Sequence, residues 1–442
     1  MRDISTHVKA IFLLGLPIII GQLGIVIQGM ADTIMVGQYG TVELSASSLV
    51  NNIYNFIIFF LLGISYATTP ITGSAFSQGN NQEVSRSFRE SLLVNIMFSL
   101  AVMLLLTLLY FNLDLLGQPE QIMPLVRPYY LILMVSLPFV SGFNALKQFA
   151  EAVGATKLPM NMMIISNVLN IVLNALLIYG LCGCPELGLL GAGIATFIAR
   201  VFLFVALLIA LLYGKRFSYW TRELRMSTTM SGCKHMAKVG FPISLQLCLE
   251  SASFNIAGIF MGWIGTIALA AHQVMCSIST LVFMLHYGIG AAAAIRISHF
   301  RGRGEWDDVK RTVRTAWGMS IFIALILVGG IYLFIDPITS IYTTDEQVKN
   351  LCFALLPTFV LYQLSDCTQI IFANSLRAIE AVGRMVLYAF ISYMVVSIPM
   401  SFLLGIGLGY GAEGIWYGIP FGLTTAAGLF IYEFNRKTKH IL

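Results

Sequence analysis

Glu250 and Asp366 each stand inside a long apolar run, where an ionised carboxylate is costly and seldom retained without a use. Their neighbours repeat at helical spacing. Gln246, Glu250 and Ser253 follow i, i+4, i+7, and Tyr362, Asp366 and Gln369 do the same, so each set shares one helix face. Two carboxylates beside a hydroxyl oxygen could bind a desolvated cation or share a proton between them. Neither has an evident basic partner at the same depth. A second polar set sits earlier in the chain. Gln28 and Asp32 are four apart, Asn167, Asn170 and Asn174 follow i, i+3, i+7, and Asn51 and Asn55 form another pair.

Each set has a plainer reading. Asn and Gln stripes also glue membrane helices together without binding anything. Asp32 could form a static ion pair with Arg200. His272 and His286 fit structural roles better than proton carriage. Cys182 and Cys184 form a CGC whose spacing suits neither a zinc site nor a known redox pair.

The elements that must position these residues follow from composition. Of 442 residues, 57% are hydrophobic and 11% charged, with mean hydropathy +0.82. Soluble domains carry about 25% charged residues, so this chain reads as a polytopic membrane protein. The net charge of +5 is therefore no sign of nucleic-acid binding. Windows of about 20 apolar residues predict twelve spans. They lie near 10–35, 44–72, 88–111, 126–148, 158–181, 188–213, 236–262, 268–296, 313–335, 348–374, 384–408 and 411–434. With this count, all 26 basic residues except Arg127, Arg200 and Lys349 fall in segments on one side. The positive-inside rule then predicts that both termini are cytoplasmic. The basic start and apolar run of MRDISTHVKAIFLLGLPIII imitate a signal peptide, but the pattern recurs mid-chain and predicts a structural helix.

The recurrence is general. A shift of 225 aligns the two halves without a gap over roughly seventy positions. Gly15–Ile18 (GLPI) meets Gly240–Ile243 (GFPI), Gly63–Ile64 meets Gly288–Ile289, Gly79 meets Gly304, and Arg86 meets Arg311. EAVG at Glu151–Gly154 recurs at Glu380–Gly383. Six helices per unit give both units the same orientation, which makes them parallel repeats. The expected organisation is an all-α membrane protein with an N-terminal six-helix lobe (1–213), a polar cytoplasmic linker (214–234) and a C-terminal six-helix lobe (235–442). Function should show where the repeats differ: Asp32 falls on Ala257, and Glu250 on Ile25.

Five motifs together resemble the multidrug and toxic compound extrusion (MATE) family over essentially the full length. They are ADTIMVGQYG (31–40), EAVGATKLPM (151–160), NVLNIVLNALLIYG (167–180), ELGLLGAGIAT (186–196) and YQLSDCTQIIFANSLRA (362–378). The likeness is nearest to the NorM-like branch, and it implies a cation-coupling site of Glu250, Asp366 and Tyr362. The family's first-helix aspartate falls on Asp32. A second N-lobe aspartate, used for proton coupling in another branch, falls on Asn174, one turn after Asn170. That departure moves weight to Glu250 and Asp366 and leaves Asp32, Asn170 and Asn174 as an N-lobe polar site. ANSLRAIEAVGR (373–384) departs from the family's Gly-rich loop.

The resemblance implies a bacterial inner-membrane antiporter, monomeric and without cofactor, that exports amphipathic, often cationic small molecules in exchange for Na+ or H+. Gln28, Asn51, Asn55, Gln246 and Gln369 are candidate cavity-lining residues, and no metal is expected beyond a Na+ at Glu250, Asp366 and Tyr362. A flippase for lipid-linked saccharides is the alternative, but it would want Arg and Lys at membrane depth, where this chain is mostly acidic. An enzyme finds no support, since HExxH, a suitably placed GxSxG and a P-loop are all missing.

Overall fold

A computed structural model describes residues 4–116, 119, 121–221 and 228–439. Arg2, Arg222 and Arg225, counted above with one side's basic residues, lie outside them. Among the described residues the chain is helical throughout, with no strand. Eleven helices among the described residues are long and apolar enough to cross a membrane, and a bent pair brings the number to twelve.

The chain divides into two compact units, one of Ile20–Ser244 and one of Met1–Ile19 with Leu245–Leu442. The division falls inside two helices and not in the 214–234 segment. These are α1 (Ile4–Tyr39) and α9 (Met230–Ile264), separated by α2 (Thr41–Ser65), α3 (Thr68–Ser77), α4 (Asn81–Phe111), α5 (Met123–Ala152), α6 (Lys157–Ile178), α7 (Leu189–Tyr213) and the single turn α8 (Ser218–Thr221). Each parts two residues after an internal proline, Pro17 in α1 and Pro242 in α9, positions that match in the repeat. A proline inside a helix removes one backbone donor and crowds the preceding turn, so the helix bends most easily there.

The repeated glycines explain how these exchanged helix halves are held. In the first unit a Cβ on Gly63 (α2) would come within 2.4 Å of the Ser244 Cα, and one on Gly240 within 2.8 Å of the Ile64 carbonyl. The second unit repeats the contact between α1 and α10 (Thr266–Gly302). There Gly288 would press on the Ile19 side chain at 2.2 Å and Gly15 on the Gly288 carbonyl at 3.2 Å. Small residues let membrane helices approach backbone to backbone, and lipid offers no hydrophobic drive to replace that packing. The Ser244 hydroxyl adds a bond by donating to the Phe60 carbonyl at 2.6 Å.

Around these contacts the first unit builds an aromatic core in which Tyr54 donates to the Tyr130 carbonyl and Tyr130 to that of Leu106, both at 2.9 Å. The second unit continues with α11 (Trp306–Leu333), α12 (Ile335–Tyr342), α13 (Glu346–Ala354), α14 (Leu356–Ala378), α15 (Met385–Ala389), α16 (Ile398–Phe402) and α17 (Gly411–Lys439). Glycines 414, 418 and 422 of α17 form a stripe pressed onto the backbone at Leu404, the backbone at Ser401 and the side chain of Ser397.

The predicted spans are present, but several are longer or broken. The tenth is α13 joined to α14 at 53°, and Pro357 sits in the first turn of α14, where its missing N–H releases the break. The eleventh is interrupted by two π-helical stretches, Phe390–Ser397 and Leu403–Gly407, which flank α16 and its Pro399. The repeated EAVG is also used differently in the two copies. α5 ends in a Schellman turn, Gly154 N–H to Glu151 O and Ala155 N–H to Ala150 O, with Gly154 at φ +77°. α14 ends one turn earlier in its motif, with Glu380 itself at φ +56°. Glu380 accepts an ion pair from Arg301 at 2.6 Å, which offsets the left-handed strain of a non-glycine residue.

Candidate functional site

In the second unit α9 presents Gln246 and Glu250, and α14 presents Tyr362, Asp366, Gln369 and Arg377. The i, i+4 and i+7 spacings put these groups on facing stripes, and the structure gathers them into one cluster, buried except for a half-buried Glu250. Gln246 and Gln369 both donate their amide N–H to the same oxygen of Glu250, Oε2, at 2.7 and 3.3 Å. Asp366 is 1% exposed, and its Oδ2 has no hydrogen-bond partner. Glu250 and Asp366 lie close enough to interact as like charges, and the Tyr362 hydroxyl lies within electrostatic range of both. Neither carboxylate forms an ion pair with a Lys, Arg or His among the described residues.

Tyr362 is fixed by its ring, with edge contacts to Phe254 and Trp416 at centroid separations of 6.0 and 6.2 Å. Its hydroxyl sits beside Ser279. Ser253, third on the α9 stripe, instead pairs with Ser397 at 3.2 Å. The carbonyl oxygen of Gln369 and both polar atoms of Gln363 are also buried without partners. Two carboxylates without an ion pair, on helices that also carry unpartnered buried polar atoms, make a poor static core, because each buried unpaired polar atom costs on the order of 1–3 kcal/mol. They make a reasonable cage for a small cation that brings its own charge.

Two members of this cluster escape the sequence reading. Tyr393, 1% exposed, lies within electrostatic range of Glu250 and Asp366, and its buried hydroxyl makes no hydrogen bond among the described residues. It is carried by the π stretch before Pro399, and irregular helical turns of this kind frequently mark working sites. Arg377 counts among the basic residues of one side when read from sequence, yet it is 6% exposed and its Nη2 donates to the Gln246 Oε1.

In the first unit the Asn174 amide donates to Asp32 Oδ1 at 2.5 Å and to Asn170 Oδ1 at 3.3 Å. Asp32, Asn170 and Asn174 thus form one connected group. The static pairing of Asp32 with Arg200 is not observed. Arg200 donates to the Ser136 hydroxyl at 2.6 Å and acts on Asp32 only at longer range. Asn51 accepts from Tyr129 at 3.4 Å, whereas Asn55 is exposed and Gln28 half-buried, neither bonded to the group. His272 packs edge-on against Trp416 with Cys276 at 3.5 Å, and both ring nitrogens of His286 are buried without partners. Cys182 and Cys184 are both free. No group of three or more His, Cys, Asp or Glu arranged to hold a metal occurs among the described residues.

Comparison with known proteins identifies the family. The MatE family model matches residues 17–176 and 242–403, one segment in each repeat. A probable multidrug resistance protein NorM of Bradyrhizobium diazoefficiens is 29% identical over 97% of this chain and 93% of its own length. The multidrug resistance protein NorM of Vibrio cholerae is 28% identical over 94% and 92%. An outward-facing multidrug resistance MATE family transporter of the MOP superfamily superposes with a TM-score of 0.90, at 20% identity, over 98% of this chain and 96% of that one. With a family model over most of its length and this fold, the chain belongs to the MatE family and is a NorM-like, multi-pass membrane transporter.

Proposed function

We propose that this transporter is a secondary multidrug exporter that moves amphipathic, often cationic compounds outward in exchange for inward Na+ or H+ by alternating access. One observation carries the reading: Asp366 is buried and Glu250 half-buried within like-charge range of it, with no ion-pair partner for either among the described residues. A coupling cation arriving at Glu250, Asp366 and Tyr362 neutralises a carboxylate pair that the protein leaves without a direct ion-pair partner among the described residues. That neutralisation changes which helix packing is favoured, which is how ion binding can drive a transport cycle. The energy is adequate, since one charge crossing 100 mV supplies about 2.3 kcal/mol. The names of the relatives support drugs as substrates.

Asp32, with Asn170 and Asn174, completes a polar site in the first unit that tunes this cycle. The transporter works as a monomer in the bacterial inner membrane with both termini cytoplasmic, and the one-sided distribution of basic residues supports that orientation. Asp366→Asn and Glu250→Gln should each abolish ethidium efflux from a pump-deficient host while membrane expression persists. Unchanged efflux in both variants refutes the site assignment. Proteoliposomes under separately imposed Na+ and pH gradients identify the coupling ion.

A further inference from the structure

We propose that Arg377 is a positioning residue for the cation site, acting on Glu250 through the amide of Gln246. The inference rests on reading Glu250 and Asp366 as that site. Three side chains stand in line, Arg377 and Gln246 buried and Glu250 half-buried. Arg377 donates from Nη2 to Gln246 Oε1, and Gln246 Nε2 donates to Glu250 Oε2 at 2.7 Å. Gln246 is fully buried.

The two ends of an amide are not interchangeable here. A guanidinium has donors only, and an ionised carboxylate has acceptors only. Gln246 therefore has one workable orientation, oxygen toward Arg377 and N–H toward Glu250. The flipped amide would set N–H against N–H at one end and oxygen against oxygen at the other. Arg377 thus locks the donor that orients Glu250 and leaves the carboxylate outside a direct ion pair. A direct pair would satisfy the carboxylate permanently and remove its need for a cation. One intervening amide passes on orientation and part of the field while leaving the negative charge available.

The repeat supports a dedicated arrangement. At the matching places in the first unit stand Gly21 for Gln246 and Ile25 for Glu250. The matching Schellman turns align Arg377 with Glu151, a residue of opposite charge buried near Lys147. All three members depart from symmetry together, so the shared fold does not require any of them.

The test is ethidium transport by the full chain in proteoliposomes, titrated separately with Na+ and with pH. Variants are Arg377→Met, Arg377→Lys, Gln246→Leu, the Arg377→Met/Gln246→Leu double and Glu250→Gln. Loss of a charge-assisted hydrogen bond should move half-maximal activation by about tenfold or more in Arg377→Met and in Gln246→Leu. The double variant should move no further than either single, and Arg377→Lys, still a donor, should recover most of the shift. A lower maximal rate with unchanged ion dependence in both singles means a merely structural role and overturns the proposal, as do additive shifts in the double variant. Gln246→Leu keeps the test open if Arg377→Met fails to fold. The two failures are separable. Wild-type transport and ion dependence in Glu250→Gln overturn the cation-site reading itself, whereas loss of transport there with wild-type ion dependence in the other variants overturns only the role of Arg377.

Discussion

Replacing Gly63 by alanine tests the packing of the exchanged helix halves. The new Cβ would fall 2.4 Å from the Ser244 Cα and 2.5 Å from its backbone nitrogen, whereas ordinary contact begins at 3.4 Å. α2 and α9 would have to part by about 1 Å, and neither atom belongs to a side chain that can swing away. Overpacking of this kind costs about 1–3 kcal/mol. The Ser244 hydroxyl bond to Phe60 is lost or stretched as the helices part, at a further cost of about 1 kcal/mol. Gly240→Ala meets the Ile64 carbonyl at 2.8 Å and should rank next. Gly288→Ala meets the Ile19 side chain at 2.2 Å, which can rotate, and the Gly15 carbonyl at 3.3 Å, and Gly15→Ala is nearly accommodated at 3.2 Å. Gly318 in α11 has no atom within 4 Å of its added Cβ, so alanine there should be neutral or stabilising by up to about 1 kcal/mol. Thermal unfolding in detergent, followed by thiol-reactive dye reaching the buried Cys248, Cys352 and Cys367, reads the whole series. The reasoning fails if Gly63→Ala melts with the wild type, or if Gly15→Ala melts lowest.

Asn174→Leu removes the amide that donates to Asp32 and should cost about 1.5–3 kcal/mol, the range for a hydrogen bond to a charged group, seen as a lower melting temperature. Tyr54→Phe leaves the Tyr130 carbonyl without its donor and should cost about 1 kcal/mol by the same assay. Glu90, 2% exposed, accepts from both the backbone N–H and the hydroxyl of Thr229 at the start of α9, at 2.9 and 2.8 Å. Glu90→Ala should weaken that helix start by about 1 kcal/mol and speed proteolysis within 214–234, with unchanged cleavage as the contrary result.

Much of this was legible in the sequence because lipid enforces strict rules. Apolar windows, one-sided basic residues and a 225-residue repeat gave twelve spans in two equivalent sets, since backbone groups in hydrocarbon must be satisfied within helices. The stripes through Glu250 and Asp366 were legible because helical spacing shows which residues share a face. Tyr393 was not, because the π turns around it shift its facing away from any 3.6-residue period. Arg377 was misplaced because a basic residue near a span end ordinarily reaches water, whereas this one turns inward to Gln246. The linker at 214–234 looked like the natural divide between units, and periodicity carries no sign that a continuous helix belongs to two of them.

That membership governs how the chain can be made. The segment through Ile19 is synthesised before the rest of its unit, and it packs with residues that leave the ribosome only after Leu245. Until then its glycine face, at Gly15, waits for Gly288. Translation therefore runs through most of the polypeptide before its beginning is finished, and the two repeats expressed as separate chains would each lack the leading segment that completes it.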